Sequence, residues 1–266
     1  MQRTYWHKQA ADKPLYPEII WSKPEVKAQS GKLAIIGGNL QSFVAPAEAF
    51  SAAERSGVGL TRVLLPLPVK KLTGQLFETL EFGAGNPSGS FSQQALSAWL
   101  DMAAWADGTL LAGDLGKNSE TAIVFEKFLQ EYSGMLTLTN DAVDYALLSP
   151  SVFLKRPSTA LVVPIRQLQK IGGHAKLSAP FTQNMDLLHL IDGLHSLTDQ
   201  FPLTIITKAH DQLCIASSGE VNTTPAGAGD SWATPTAAAM AVWWLQNPAK
   251  PLESMTAAMF EAMPKD

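Results

Sequence analysis

Lys32-Leu33-Ala34-Ile35-Ile36 is an apolar run that stops at Gly37-Gly38-Asn39, and strong helix formers fill 45–56 before Gly57. An unbroken apolar run bounded by turn residues suits a strand buried on both faces. Gly57 supplies a left-handed C-cap for the helix that follows. The same unit then recurs along the chain. Thr61-Arg62-Val63-Leu64-Leu65 reads as a strand ended by Pro66 and Pro68, and 92–105 as a helix with Ser92 as its N-cap. Thr109-Leu110-Leu111-Ala112 is a short strand closed by Gly113-Asp114-Leu115-Gly116. A helix is predicted over 118–132, where Ile123, Val124, Phe128 and Leu129 share a stripe. Further strands are predicted at 135–139, 159–163 and 203–207. Such alternation predicts an α/β protein with a mostly parallel sheet, helices on both faces, and ligands beyond the carboxyl ends of the strands. After Thr207 the rhythm changes to a hairpin, 212–216 with 220–223, turning at Ser217-Ser218-Gly219, and then to a final long helical region. Residues 1–31 lack periodicity but carry Trp6, Tyr16, Ile19, Ile20 and Trp21, which need cover. An arm packed on one domain spanning 1–266 is expected.

Of the 266 residues, 46% are hydrophobic and 17% charged, with a formal net charge of -4. That composition excludes a disordered chain, and its mild acidity argues against a protein that coats nucleic acid, though it leaves room for a local basic patch. The longest apolar run, 237–245, is far shorter than the ~18 residues a membrane span needs. Met1 to Lys8 lacks the apolar core of a secretory signal, so a soluble cytoplasmic protein with no membrane partner is expected. Cys214 is the one cysteine, which rules out an intramolecular disulfide and a cysteine cluster for zinc or iron–sulfur. Its setting, Leu213-Cys214-Ile215, predicts a buried, inert thiol.

Chemistry concentrates in Asn222-Thr223-Thr224-Pro225-Ala226-Gly227-Ala228-Gly229-Asp230-Ser231-Trp232-Ala233-Thr234. A Gly-Ala-Gly turn runs directly into an Ala-rich helix. Small residues let amides converge and the helix dipole adds positive potential, which makes an anion site. Asp230 would repel a bound phosphate, which leaves two readings: an ordinary Gly-rich turn whose Asp stabilises the helix dipole, or a general base for a hydroxyl that attacks the γ-phosphate. Elsewhere, Asp186, His189, Asp192 and His195 read as the polar face of a helix over 185–197 rather than as a metal site. Gly172-Gly173-His174 reads as a loop. Trp243-Trp244-Leu245 suits core packing or a subunit contact, which permits a homo-oligomer.

In combination and order, these features resemble the ribokinase-like superfamily, which carries a Gly-(Ala/Thr/Gly)-Gly-Asp signature at this relative position. Within it the chain is most similar to ADP/ATP-dependent NAD(P)H-hydrate dehydratases, from about Gly31 to the C-terminal helices. The residues 31–39 look like that family's first strand and its Gly-Gly-Ser-type turn. Ala52-Ala53-Glu54-Arg55-Ser56-Gly57-Val58-Gly59-Leu60 is similar to its Ala-Ala-x-Arg-x-Gly-Ala-Gly-Leu stretch. Ala112-Gly113-Asp114-Leu115-Gly116 is similar to its Gly-Pro-Gly-Leu-Gly loop, and Thr207-Lys208-Ala209 to its Leu-Lys-Gly.

The resemblance implies a three-layer α/β/α sandwich. It also implies repair of hydrated NADH or NADPH driven by ATP or ADP, in which the added hydroxyl is phosphorylated and phosphate is then eliminated. On the matching positions, Asp230 is the base and Gly227, Ala228 and Gly229 form the anion hole. Gly38, Asn39, Gly113, Gly116 and Asp141 border the small-molecule substrate, and Lys208 lies near the adenine nucleotide. Mg²⁺ accompanies ATP to neutralise phosphate charge. Several positions depart from the pattern. Asp-Ala-Asp-Ala-Leu becomes Thr139-Asn140-Asp141-Ala142-Val143, and the His and Glu of Leu-Thr-Pro-His-x-Gly-Glu become Ile165 and Leu168. Ala45-Pro46 replaces a Gly-Ala pair, and Ser231-Trp232-Ala233-Thr234-Pro235 replaces a smaller turn. Two other readings fit the same residues: a small-molecule kinase for a sugar or hydroxymethylpyrimidine alcohol, and a non-catalytic ligand-binding descendant.

Overall fold

A computed structural model describes residues 3–73, 79–226 and 232–263. Its strands are β1 (Trp6–Lys8), β2 (Lys32–Gly37), β3 (Leu60–Pro66), β4 (Leu80–Gly83), β5 (Gly108–Gly113), β6 (Met135–Thr139), β7 (Thr159–Val162), β8 (Leu203–Ala209), β9 (Gln212–Ser217) and β10 (Glu220–Pro225). They form one sheet in the order β1-β10-β9-β8-β7-β6-β5-β2-β3-β4. Neighbours are parallel except where β9 meets β8 and β10. The helices are α1 (Pro17–Trp21), α2 (Val44–Arg55), α3 (Lys70–Thr73), α4 (Leu96–Trp105), α5 (Ser119–Glu131), α6 (Asp141–Ala146), α7 (Pro150–Phe153), α8 (Ile165–Ala175), α9 (Leu187–Gln200), α10 (Ala233–Gln246) and α11 (Pro251–Ala262).

Side-chain alternation along the strands divides the interior into two cores. Ala34, Ile36, Leu64, Leu111 and Leu138 face one core, which α4, α5, α6, α8 and α9 complete. Leu33, Ile35, Val63, Leu65, Leu110 and Val162 face the other, which α2, α10 and α11 complete. A sheet covered on both sides must be apolar on both faces, hence the unbroken apolar runs. The result is the expected α/β/α layering. The apolar run 237–245 lies in α10, buried against the sheet. Among the described residues, no helix is long and apolar enough to cross a membrane.

Local chemistry explains where the elements differ from expectation. The helix expected from residue 92 opens with a 3₁₀ turn, Gln93–Ala95, which the Ser92 side chain does not cap. Asn118 does cap α5, accepting from the amides of Glu120 at 2.9 Å and Thr121 at 3.3 Å. The hairpin strands run longer than expected and turn on Ser218-Gly219 alone, with φ of 50° and 79°. Two consecutive positive φ values match the right-handed twist of a tight hairpin. Gly172-Gly173-His174 is the last turn of α8 and not a loop, because Lys176 provides the left-handed stop (φ 55°, ψ 42°). The N-terminal segment adds β1 parallel to β10, pairing Trp6 with Val221. Ile19 is buried as expected, but Trp21 stands 82% exposed. Cys214 lies buried in β9, and burial pushes its thiol up to about 12.

Candidate functional site

Parallel strands deliver their carboxyl ends to one edge, and there the loops after β2, β5 and β6 meet. Gly38 donates its amide to the Gly113 carbonyl at 2.9 Å. The Asn39 side chain donates to the Asp114 carbonyl at 2.6 Å and accepts from the amides of Gln41 and Ser42. Asp114 accepts from Ser42 Oγ at 2.7 Å and from the Ala45 amide at 2.8 Å, so its carboxylate occupies the N-terminus of α2. A charge there is favoured by the helix dipole and stands where an external anion would otherwise bind.

Gly38 and Gly113 are glycines because protein atoms crowd them. A Cβ on Gly38 would lie 2.9 Å from Leu65 Cδ2, and one on Gly113 would lie 2.6 Å from Asn140 Cβ. Both have positive φ, as does Gly116 (φ 74°). Gly116 lies beside a cleft of about 940 Å³ between the start of α5, the start of α6 and the start of α8. Asn140, Asp141, Asp144, Tyr145, Gln167 and Lys170 line its polar walls.

Asp141 is the electrostatic centre of this cleft. Its Oδ2 accepts from the Gly116 amide at 3.1 Å, while its Oδ1 is buried without a hydrogen-bond partner. Burial pushes the carboxyl up to about 6, reinforced by the charges of Asp114 and Asp144 and opposed by the amides of Leu115 and Gly116. Tyr145 closes the wall, donating to the Gly116 carbonyl and accepting from the Asn118 amide at 2.9 Å. Gln167 donates to the Asn140 carbonyl at 2.7 Å and to Asp144 at 3.0 Å, and Lys170 pairs with Asp144 at 2.6 Å. Such an array can accept a hydrogen bond or a proton from a hydroxyl.

Of the residues singled out in the sequence, Gly38, Asn39, Gly113, Gly116 and Asp141 share this edge. Lys208 stands half-buried near the end of β8, in register with Leu213 of β9, and does not line the cleft. Gly227, Ala228, Gly229 and Asp230 lie outside the described residues. Trp232 stands just before α10, half-buried against the core shared with α2 and α11. Thr139 is buried and its hydroxyl donates to the Val162 carbonyl at 3.0 Å. Leu168 is buried too, so the positions of a carboxylate and a Glu in the resembled motifs serve packing here. Asn140, Tyr145 and Gln167 carry no warning in the sequence. The one available hint is that Asn140 replaces an alanine beside Asp141.

The row of acids and histidines on α9 is accounted for by local bonds. Asp186 caps the helix at the His189 amide, 2.9 Å away. Asp192 receives Arg3 at 2.5 and 2.8 Å and the Tyr5 hydroxyl at 2.5 Å, and His195 stacks on Tyr5 at 3.8 Å. Among the described residues, no group of three His, Cys, Asp or Glu is placed to hold a metal ion.

No family model matches the chain. Solved structures do. A ribokinase-like superfamily protein from Enterococcus faecalis V583 superposes with a TM-score of 0.71 at 16% identity, covering 98% of this chain and 88% of that one. A hypothetical protein from Streptococcus mutans gives 0.69 at 18% identity, covering 91% and 85%. An ADP/ATP-dependent NAD(P)H-hydrate dehydratase from Bacillus subtilis, co-crystallized with ATP/Mg²⁺, gives 0.64 at 15%, covering 94% and 87%. Identities this low speak to architecture alone. Among the described residues a ten-stranded, mostly parallel sheet lies between two helical layers, and the chain has the ribokinase-like fold.

Proposed function

We propose that the chain is a nucleotide-dependent enzyme acting on a small hydroxylated substrate at the carboxyl edge of its sheet, in the manner of an NAD(P)H-hydrate dehydratase. The observation that carries this reading is Asp141: a carboxyl raised to about 6, anchored through one oxygen and unpartnered at the other, beside a cleft of about 940 Å³. A carboxyl tuned toward neutrality in a cleft suits binding of a hydroxyl that changes its protonation during reaction.

In this reading the substrate hydroxyl oxygen attacks the terminal phosphorus of ATP or ADP, and its proton passes to Asp230. The bond to the leaving nucleotide breaks as the new O–P bond forms. Cleavage of the substrate C–O bond then expels phosphate, and loss of a neighbouring ring proton restores the dihydropyridine. Asp141 accepts a hydrogen bond from the substrate, and Gly116 gives it a fixed orientation. Mg²⁺ would neutralise phosphate charge during transfer.

The test is ATP-dependent recovery of nicotinamide absorbance from hydrated NADH, with phosphate release. Asp230→Asn is expected to abolish turnover and leave folding intact. A retained phosphate ester in place of free phosphate would identify a small-molecule kinase. The buried Thr139 hydroxyl, committed to a backbone carbonyl, favours a second reading as a non-catalytic descendant. Absence of thermal stabilisation by ATP, ADP, NADH or Mg²⁺ would support it, since a ligand that binds only the native state must raise stability.

A further inference from the structure

Asn140 holds a backbone conformation that only glycine adopts without cost, φ 52° and ψ -137°. Its side chain shows what maintains that conformation. Nδ2 donates to the Ala112 carbonyl at the end of β5 and to Thr234 Oγ1 in the first turn of α10, each at 2.8 Å. Its own carbonyl accepts from Gln167 of α8 at 2.7 Å. Thr234 is 5% exposed, so this bond is shielded from water. One residue therefore ties the cleft wall, the β5 edge and the opening of a fourteen-residue helix on the opposite face of the sheet. The motif that this stretch resembles has alanine here, which can make neither side-chain bond.

We infer that Asn140 is a positioning residue that fixes the first turn of α10 relative to the Asp141 cleft. The inference rests on the functional reading above, because the Gly-Ala-Gly-Asp stretch immediately precedes α10 in the sequence. Bonds from one amide to both sides of the sheet edge set the distance between the start of α10 and the cleft wall. An error of about 1 Å in that distance is enough to cost roughly a hundredfold in rate.

Two variants break the tie from opposite ends. Asn140→Gly suits the backbone conformation and removes the amide, while Thr234→Val keeps the volume and removes the hydroxyl. Amide exchange is read at Thr236, whose N–H donates to the Trp232 carbonyl at 3.1 Å in the same turn. We expect exchange there to quicken by about tenfold in both variants, since both lose the shielded Asn140–Thr234 hydrogen bond that holds this turn. We expect kcat for ATP-dependent turnover of hydrated NADH to fall by about tenfold or more, with a smaller change in the KM for ATP. The double variant should be no worse than Asn140→Gly alone, which already loses the bonds to both Ala112 and Thr234, and Thr234→Ser, which restores the acceptor, should recover most of kcat. Unchanged exchange at Thr236, unchanged kcat in Asn140→Gly, or additive losses in the double variant would each overturn the inference. Wild-type protein without turnover would overturn the functional reading, while exchange at Thr236 would still test the tie between Asn140 and α10.

Discussion

Asp141 illustrates how burial writes a pH dependence into stability. Its carboxyl is raised to about 6 from an ordinary 3.8, so the folded state keeps a proton that the unfolded chain has already released. Stability is therefore full below pH 4 and falls as pH rises toward 6, then levels. Asp141→Asn removes that dependence. Each tenfold difference in proton affinity between folded and unfolded chain is worth about 1.4 kcal/mol. Urea unfolding between pH 4 and pH 8 should therefore show the variant gaining on wild type by up to about 3 kcal/mol across this window. A gap that stays constant with pH would contradict this account of the site. Arg156 is the counterpart at the opposite end of the sheet. Its buried guanidinium donates to the carbonyls of Tyr132 and Gly134, each at 2.7 Å, and to Thr159 Oγ1 at 2.8 Å. Arg156→Ala would orphan those acceptors, and denaturant titration should register a loss of about 2–4 kcal/mol. Neither environment is readable from the chain alone. Asp141 is marked only by its likeness to a motif, and Arg156 is one of 20 Lys and Arg residues with nothing in its neighbours to set it apart.

At the scale of elements, Phe181 packs against one glycine of α8, in a stretch whose sequence suggests a loop, and one glycine of α9, inside the predicted helix over 185–197. A Cβ on Gly172 would lie 2.7 Å from Phe181 Cδ2, and one on Gly193 would lie 2.7 Å from Phe181 Cε1. The Phe181 ring thus occupies a slot that only glycine leaves open on each helix. Gly173, one residue along, meets nothing within 4 Å. Gly173→Ala should accordingly stabilise the protein by about 0.5–1 kcal/mol through helix propensity, whereas Gly172→Ala should destabilise it by about 1–3 kcal/mol through overpacking. Thermal unfolding of the pair separates the two effects, and equal shifts would contradict the slot. Strands are far more legible than this contact. Ile35 and Ile36 face opposite cores, and that demand imposes an apolar run that no surface strand needs. The last turn of α8 is not legible, because a left-handed Lys176 ends the helix where glycine is the usual signal.

Across the whole molecule, layering is the most predictable feature and the ligand site the least. Alternating strands and helices dictate a covered parallel sheet, and a covered parallel sheet gathers its loops at one edge. Gly38, Gly113 and Gly116 advertise that edge. They do so chiefly through backbone crowding: Gly38 and Gly113 are packed by Leu65, Phe43 and Asn140, and Gly116 borders the open cleft. Non-local bonds such as Asn140 to Thr234, 94 residues apart, leave no periodic trace in a chain. We propose that this edge performs nucleotide-dependent chemistry on a hydroxylated substrate. The most direct measurement is the initial rate of nicotinamide recovery from hydrated NADH with ATP or ADP, followed alongside phosphate release. We expect recovery that depends on nucleotide, yields one phosphate per turnover, and vanishes in Asp230→Asn. Folded wild-type protein that restores no absorbance with either nucleotide would contradict the account.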